Sequence, residues 1–149
     1  ADTEQRQSFW RAFAMGDSEA VELFLNRTLS NSISVFDAKG RDEERENSYH
    51  MLLVGLLAGK SDWLVRSNVE AGEGFADIIV ETDDLDDGVI VELKYVQTMT
   101  AMEKSCAKAL AQIRAKRYAE YLHNNGREKV LLYGIAFCKK KCRVMAEKL

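Results

Sequence analysis

Phe75-Ala76-Asp77-Ile78-Ile79-Val80-Glu81, an acidic turn over Asp83–Gly88, and Val89-Ile90-Val91-Glu92-Leu93-Lys94-Tyr95 read as two strands joined by a hairpin. Both runs are short, branched and apolar, and each carries charge where an apolar side chain would pack. In the second run, strand alternation sends Val89, Val91 and Leu93 to one face and Ile90, Glu92 and Lys94 to the other. Charge inside a sheet is costly unless it is paired or holds a metal. If the hairpin closes, Asp77 and Glu92 approach the same point, with Lys94 beside them.

Outward from this hairpin the chain reads as alternating layers. Residues 4–30 are expected to form two short helices broken at Gly16-Asp17, with Asp17 or Ser18 capping the second and Val21, Phe24, Leu25 and Leu29 on its apolar face. A polar turn at Gly40 leads to a third helix over about 42–58, with Asp42, Glu43 and Glu44 in its first turn and Gly59 at its end. A strand over Trp63–Glu70 and a turn at Gly72-Glu73-Gly74 precede the central hairpin. After it come one long helix over about 100–124, a strand over Val130–Phe137 and a short fifth strand over Arg143–Ala146. The expected fold class is α/β: a central mixed β-sheet of four to five strands flanked by helices, with an N-terminal helical extension.

The 149 residues make one domain, 1–149, with a helical lead-in over about 1–60 and the sheet and long helix over about 61–149. At 46% apolar and 30% charged residues, disordered and fibrous classes are excluded. The longest apolar run, Met51–Ala58, falls well short of the ~20 residues of a membrane crossing, so no membrane is expected. Three Cys without a paired framework favour a reducing cytoplasm. The chain opens on Ala1 and not Met, which suggests further sequence upstream. Charge is divided along the chain: residues 1–90 hold 8 Lys/Arg against 19 Asp/Glu, and residues 91–149 hold 13 against 5. That allows a basic face for a polyanion, unless the halves interleave and neutralise one another.

Several motifs lead nowhere. Gly55–Ser61 resembles a phosphate loop but has three residues between its glycines and follows a helix, not a strand. The acidic turn at Asp83–Gly88 puts Leu85 and Lys94 where a calcium loop needs oxygen ligands. Cys138 and Cys142 flank three Lys and lack the second ligand pair of a zinc site. What remains is Asp77, Glu92 and Lys94. Two carboxylates and an ammonium suit phosphodiester hydrolysis, the acids holding Mg²⁺ or Mn²⁺ and the lysine steadying developing charge. The same residues also suit a Glu92–Lys94 or Asp77–Lys94 ion pair that only shapes the sheet.

Asp77 with Glu92-x-Lys94 resembles the PD-(D/E)xK nuclease superfamily, and more narrowly the domain of this kind found behind AAA-ATPase-like domains in bacterial proteins. The resemblance runs in order through Glu46-Asn-Ser-Tyr49-His50, Gly55–Gly59, Ser67–Ile78, Glu92-Leu-Lys94, Ala109–Tyr118 and Tyr133–Phe137. It implies a restriction-endonuclease-like core and a metal-dependent nuclease acting on DNA. It further implies Mg²⁺ or Mn²⁺ held by Asp77, Glu92 and Glu46 with the Leu93 carbonyl, Lys94 as the catalytic lysine, and Gln112 facing the site. His50, at i+4 from Glu46, reads as a core or capping histidine ahead of a direct chemical role. Lys108, Lys116 and Arg117 are candidates for phosphate contacts, within a wider basic set that includes Lys104, Arg114 and Lys139–Lys141. An ATPase-like partner and a homodimer are compatible with the resemblance. So is a catalytically silent module that binds DNA or protein and regulates an associated ATPase. Two departures stand out: Ala76 in place of Pro before the acid, and Phe75 after Gly74 where many relatives carry Arg.

Overall fold

The structure, a computed structural model, describes residues 3–31 and 42–149. The expected turn at Gly40 lies outside them. Helices α1 (Thr3–Met15) and α2 (Ser18–Asn31) meet at Gly16, whose φ of 79° closes α1. The Gly16 and Asp17 N–H groups donate to the Phe13 and Ala12 carbonyls, and Asp17 Oδ1 then caps α2 by accepting from Ala20 N–H at 3.2 Å. Helix α3 (Asp42–Ala58) covers the expected span.

Five strands, β1 (Leu64–Ala71), β2 (Gly74–Glu81), β3 (Asp87–Tyr95), β4 (Lys129–Cys138) and β5 (Lys141–Lys148), form one sheet in chain order. All neighbours run antiparallel except β3 and β4, which are parallel and joined by a crossover through helices α4 (Met102–Ala115) and α5 (Glu120–Asn124). Helices α1–α3 cover one face over a core that includes Phe13, Leu25, Leu53, Ile78, Val91 and Tyr133. The crossover helices cover the other, over Ile79, Ile90, Leu110, Ile113, Tyr118 and Leu132. Tyr133 ties the first layer to the sheet, its ring stacked on Phe13 at 4.7 Å and its hydroxyl donating to Phe13 O at 2.7 Å.

Three expectations are corrected. The long helix over 100–124 is broken: α4 ends in a motif in which Tyr118 N–H donates to Ile113 O and Arg117 N–H to Arg114 O, with Arg117 left-handed at φ 56°. This turn brings Tyr118 into the core. The fifth strand is longer than Arg143–Ala146 and pairs with β4 from Lys141 to Lys148, its polar residues being tolerable at an edge. The acidic turn is shorter, β3 starting at Asp87, and its carbonyls are held by a side chain: Arg127 Nη1 donates to Thr82, Asp84 and Asp87 carbonyls at 2.7–2.9 Å.

The β1–β2 hairpin docks on the end of α4 through Gly72. Its φ is 54°, and a Cβ there would lie 2.2 Å from the Lys116 carbonyl oxygen and 2.3 Å from that of Arg117. The neighbouring Glu73 N–H donates to Lys116 O at 2.8 Å. Gly72→Ala therefore meets both a left-handed backbone and two backbone oxygens, and is expected to lower unfolding stability by about 2 kcal/mol or more in chemical denaturation. A loss within about 0.5 kcal/mol of zero would contradict this docking.

Candidate active site

The β2–β3 ladder runs from Glu81↔Gly88 to Ile78↔Val91 and stops one residue short of Asp77 and Glu92. There the Leu93 N–H donates to Asp77 Oδ2 at 2.8 Å, a carboxylate standing in for the next backbone acceptor. In return Asp77 N–H lies 3.4 Å from Glu92 Oε1. The N–H and C=O of one strand residue point to the same neighbouring strand, so the Leu93 carbonyl faces this gap as well.

The β1–β2 pairing is interrupted at the same residue, passing from Ser67↔Ile78 to Val69↔Ala76 across Asn68, which is left-handed at φ 53°. The distortion changes which way each strand faces. Val65 packs in the α1–α3 core and Ser67 bonds His50 of α3, whereas Val69 and Ala71 join Tyr118 in the opposite core. In β2, Ile78 and Val80 belong to the first core and Ala76 to the second. Unbroken alternation would put Arg66, Asn68 and Glu70 on one side of β1, and the break at Asn68 prevents it.

Glu92 is deeply placed, its side chain 5% exposed. Gln112 on α4 bridges it to Lys94: Gln112 Nε2 donates to Glu92 Oε2 at 2.8 Å, and Lys94 Nζ donates to Gln112 Oε1 at 2.8 Å. The Lys94 ammonium lies 3.8 Å from Glu92 Oε2. Tyr118 completes the bridge, its hydroxyl accepting from Gln112 Nε2 at 3.1 Å. Burial, reinforced by the charge of Asp77, pushes the Glu92 carboxyl up to about 8. Glu46 on α3 faces the pair from the other layer. It too is raised, first by burial and then by Asp77, against the lowering effects of Lys94 and a hydrogen bond from the Tyr95 backbone.

Asp77, Glu92, Lys94, Gln112 and the Leu93 backbone thus meet at one place, with Glu46 across a crevice of about 230 Å³ lined by Glu43, Glu46, Asn47, His50, Asn68 and Asp77. Among the described residues, no three His, Cys, Asp or Glu side chains gather as a metal cage. The donors present fit a hard cation that takes one or two carboxylates and keeps several waters, as Mg²⁺ does. Glu92 holds its proton up to about 8 here, and a bound cation would take that proton's place.

His50 is buried at the crevice, its Nε2 2.5 Å from Ser67 Oγ. Lys108 and Lys116 are exposed on or at the end of α4. Arg117 is exposed too but is engaged by Glu73 at 3.6 Å and Glu120 at 3.9 Å. The sequence reading gave no role to Tyr118 or Asn68. Tyr118 left a signal, falling two residues beyond Lys116 in the run the resemblance covers. Asn68 left only its tolerance of left-handed backbone.

The raised Glu92 carboxyl has a consequence for folding. The unfolded chain loses this proton near 4.5 and the folded chain near 8, so the folded state binds more protons between them and stability falls as pH rises through that window. In metal-free buffer, wild-type melting temperature is expected to fall from pH 5 to pH 8 more steeply than that of Glu92→Gln, whose residual slope includes Glu46. Parallel curves would contradict the buried, proton-holding carboxyl.

A protein-family model described as the PD-(D/E)XK nuclease superfamily matches residues 44–147. A comparison with curated proteins gives no match. Among solved structures, the crystal structure of SSO0001 is similar over 82% of this chain and 57% of its own, with a TM-score of 0.43 and 17% identity. The chain therefore spans a little over half the length of that protein. The family match runs from the first turn of α3 to near the end of β5, taking in every strand of a five-stranded mixed sheet between helical layers, a restriction-endonuclease-like arrangement. This chain belongs to the PD-(D/E)XK nuclease superfamily.

Proposed function

We propose that this domain is a divalent-metal-dependent nuclease that hydrolyses DNA phosphodiester bonds at the Asp77–Glu92–Lys94 cluster. The observation that carries the reading is the broken ladder at Asp77, which sets two carboxylates and an ammonium around one gap. Asp77, Glu92, Glu46 and the Leu93 carbonyl would hold Mg²⁺ or Mn²⁺. When bound, the ion offsets charge on the scissile phosphate and acidifies a water.

The protein's own groups do the rest. Gln112 fixes both the Glu92 carboxylate and the Lys94 ammonium, so neither searches among rotamers when substrate arrives. Lys94, one-third exposed, turns its charge toward the gap, where it orients the attacking water and steadies negative charge developing on the phosphoryl oxygens. Tyr118 holds Gln112. Lys108 and Lys116, and Arg117 once released from Glu73 and Glu120, would meet phosphates along the strand; such contacts are sequence-independent and salt-sensitive. An ATPase-like domain or partner, a homodimer and a cytoplasmic setting belong to the same proposal.

Incubation of a labelled DNA with Mg²⁺ or Mn²⁺ tests it. Cleavage by the wild type is expected, abolished by chelation and lowered by about a hundredfold or more in Lys94→Ala, whose fold is checked by circular dichroism. Asp77→Asn is expected to match it. No cleavage by the wild type with any divalent ion, together with retained DNA or protein binding, would establish the silent-module reading in its place.

A further inference from the structure

Phe75 is 62% exposed and stands two residues from Asp77 in β2. Its exposure follows from the change of face at Asn68 and Asp77. Had the alternation of Ile78 and Val80 continued, Phe75 would have turned toward Val69 and Tyr118 in the second core, and Ala76 would have turned away. Instead the methyl group of Ala76 is buried and the phenyl ring meets water. A left-handed Asn68 and a large exposed apolar ring are two local conflicts at one place, and such conflicts gather where function requires them. A single exposed aromatic elsewhere on the surface would need no explanation.

A ring at the surface stacks only on a base whose face is free, which the continuous stack of a duplex does not present. Asp77, two residues along β2 from Phe75, lines the crevice of about 230 Å³. In its wall the amides of Asn47 and Asn68 offer both donors and acceptors to a base or sugar edge. Aromatic faces stack on any base, without sequence preference.

We infer that Phe75 is a base-stacking platform and that the substrate presents an unstacked nucleotide, as a single strand, flap or frayed end, beside the bond to be cut. This rests on the nuclease reading above. The wild type, Phe75→Ala and Phe75→Trp are compared on a single-stranded deoxyoligonucleotide and on a blunt duplex of the same sequence. Binding is measured with chelator present and cleavage with Mg²⁺ or Mn²⁺. The wild type is expected to prefer the single strand. Phe75→Ala should lose about ten- to a hundredfold in single-strand affinity and kcat/KM with an unchanged melting temperature. Phe75→Trp should retain both, with its added indole fluorescence quenched by the strand. If Phe75→Ala matches an active wild type on single strands, or if the duplex is bound and cut as well as the single strand, the platform is overturned while the nuclease reading stands. A wild type that neither binds nor cuts either DNA overturns both.

Discussion

The Leu93 N–H must find an acceptor inside the sheet, and it finds Asp77 Oδ2 at 2.8 Å where a backbone carbonyl would ordinarily serve. That substitution ends the β2–β3 ladder at Ile78↔Val91 and draws an acid into the space between two strands. Because Asp77 is fixed by a backbone group, its position does not depend on a flexible partner. Glu92, one strand over, is then held against a neighbour of like charge in a poorly solvated place, and its proton is retained well above the usual carboxylate range.

The crossover layer turns this strained pair into an ordered site. Gln112 can reach both Glu92 and Lys94 only because α4 lies across β3 at this height, and two contacts fix that placement. The end of α4 is closed by the Arg117 turn, which swings Tyr118 in to hold Gln112. The β1–β2 hairpin presses on the same helix end through Gly72, backbone against backbone. Helix α3 contributes from the opposite layer, bringing Glu46 to within electrostatic reach of Asp77 and forming the wall of the crevice. The site therefore draws on both cores, and the sheet is open between them only where its ladders break.

Much of this was legible from residue order. Asp77 and Glu92 stood out because charge in an apolar strand conflicts with burial, and that conflict is local to a few residues. The span of α3 was readable from its acidic first turn and its closing Gly59, and the break between α1 and α2 from Gly16. The change of face at Asn68 was not readable, because strand alternation is a rule about regular backbone and Asn carries no period. The end of α4 was hidden for a similar reason: Arg117 occupies a left-handed position usually given to Gly, so no stop signal marks it. The charge division along the chain proved partly internal. Arg127 reaches Glu81 at 3.4 Å, Arg143 reaches Glu22 at 3.7 Å and Arg117 reaches Glu73, each joining the basic second half to the acidic first. Pairings across a fold leave no trace in a count.

The central claim is that Asp77, Glu92 and the Leu93 carbonyl surround one cation position. Anomalous diffraction at the manganese edge, from crystals of the protein grown with Mn²⁺, measures this directly. The account predicts a peak lying between the Asp77 and Glu92 carboxylates at coordination distance from both, and absent in crystals of Asp77→Asn. Ordered carboxylates with no peak between them, or a peak held by other residues alone, would contradict it.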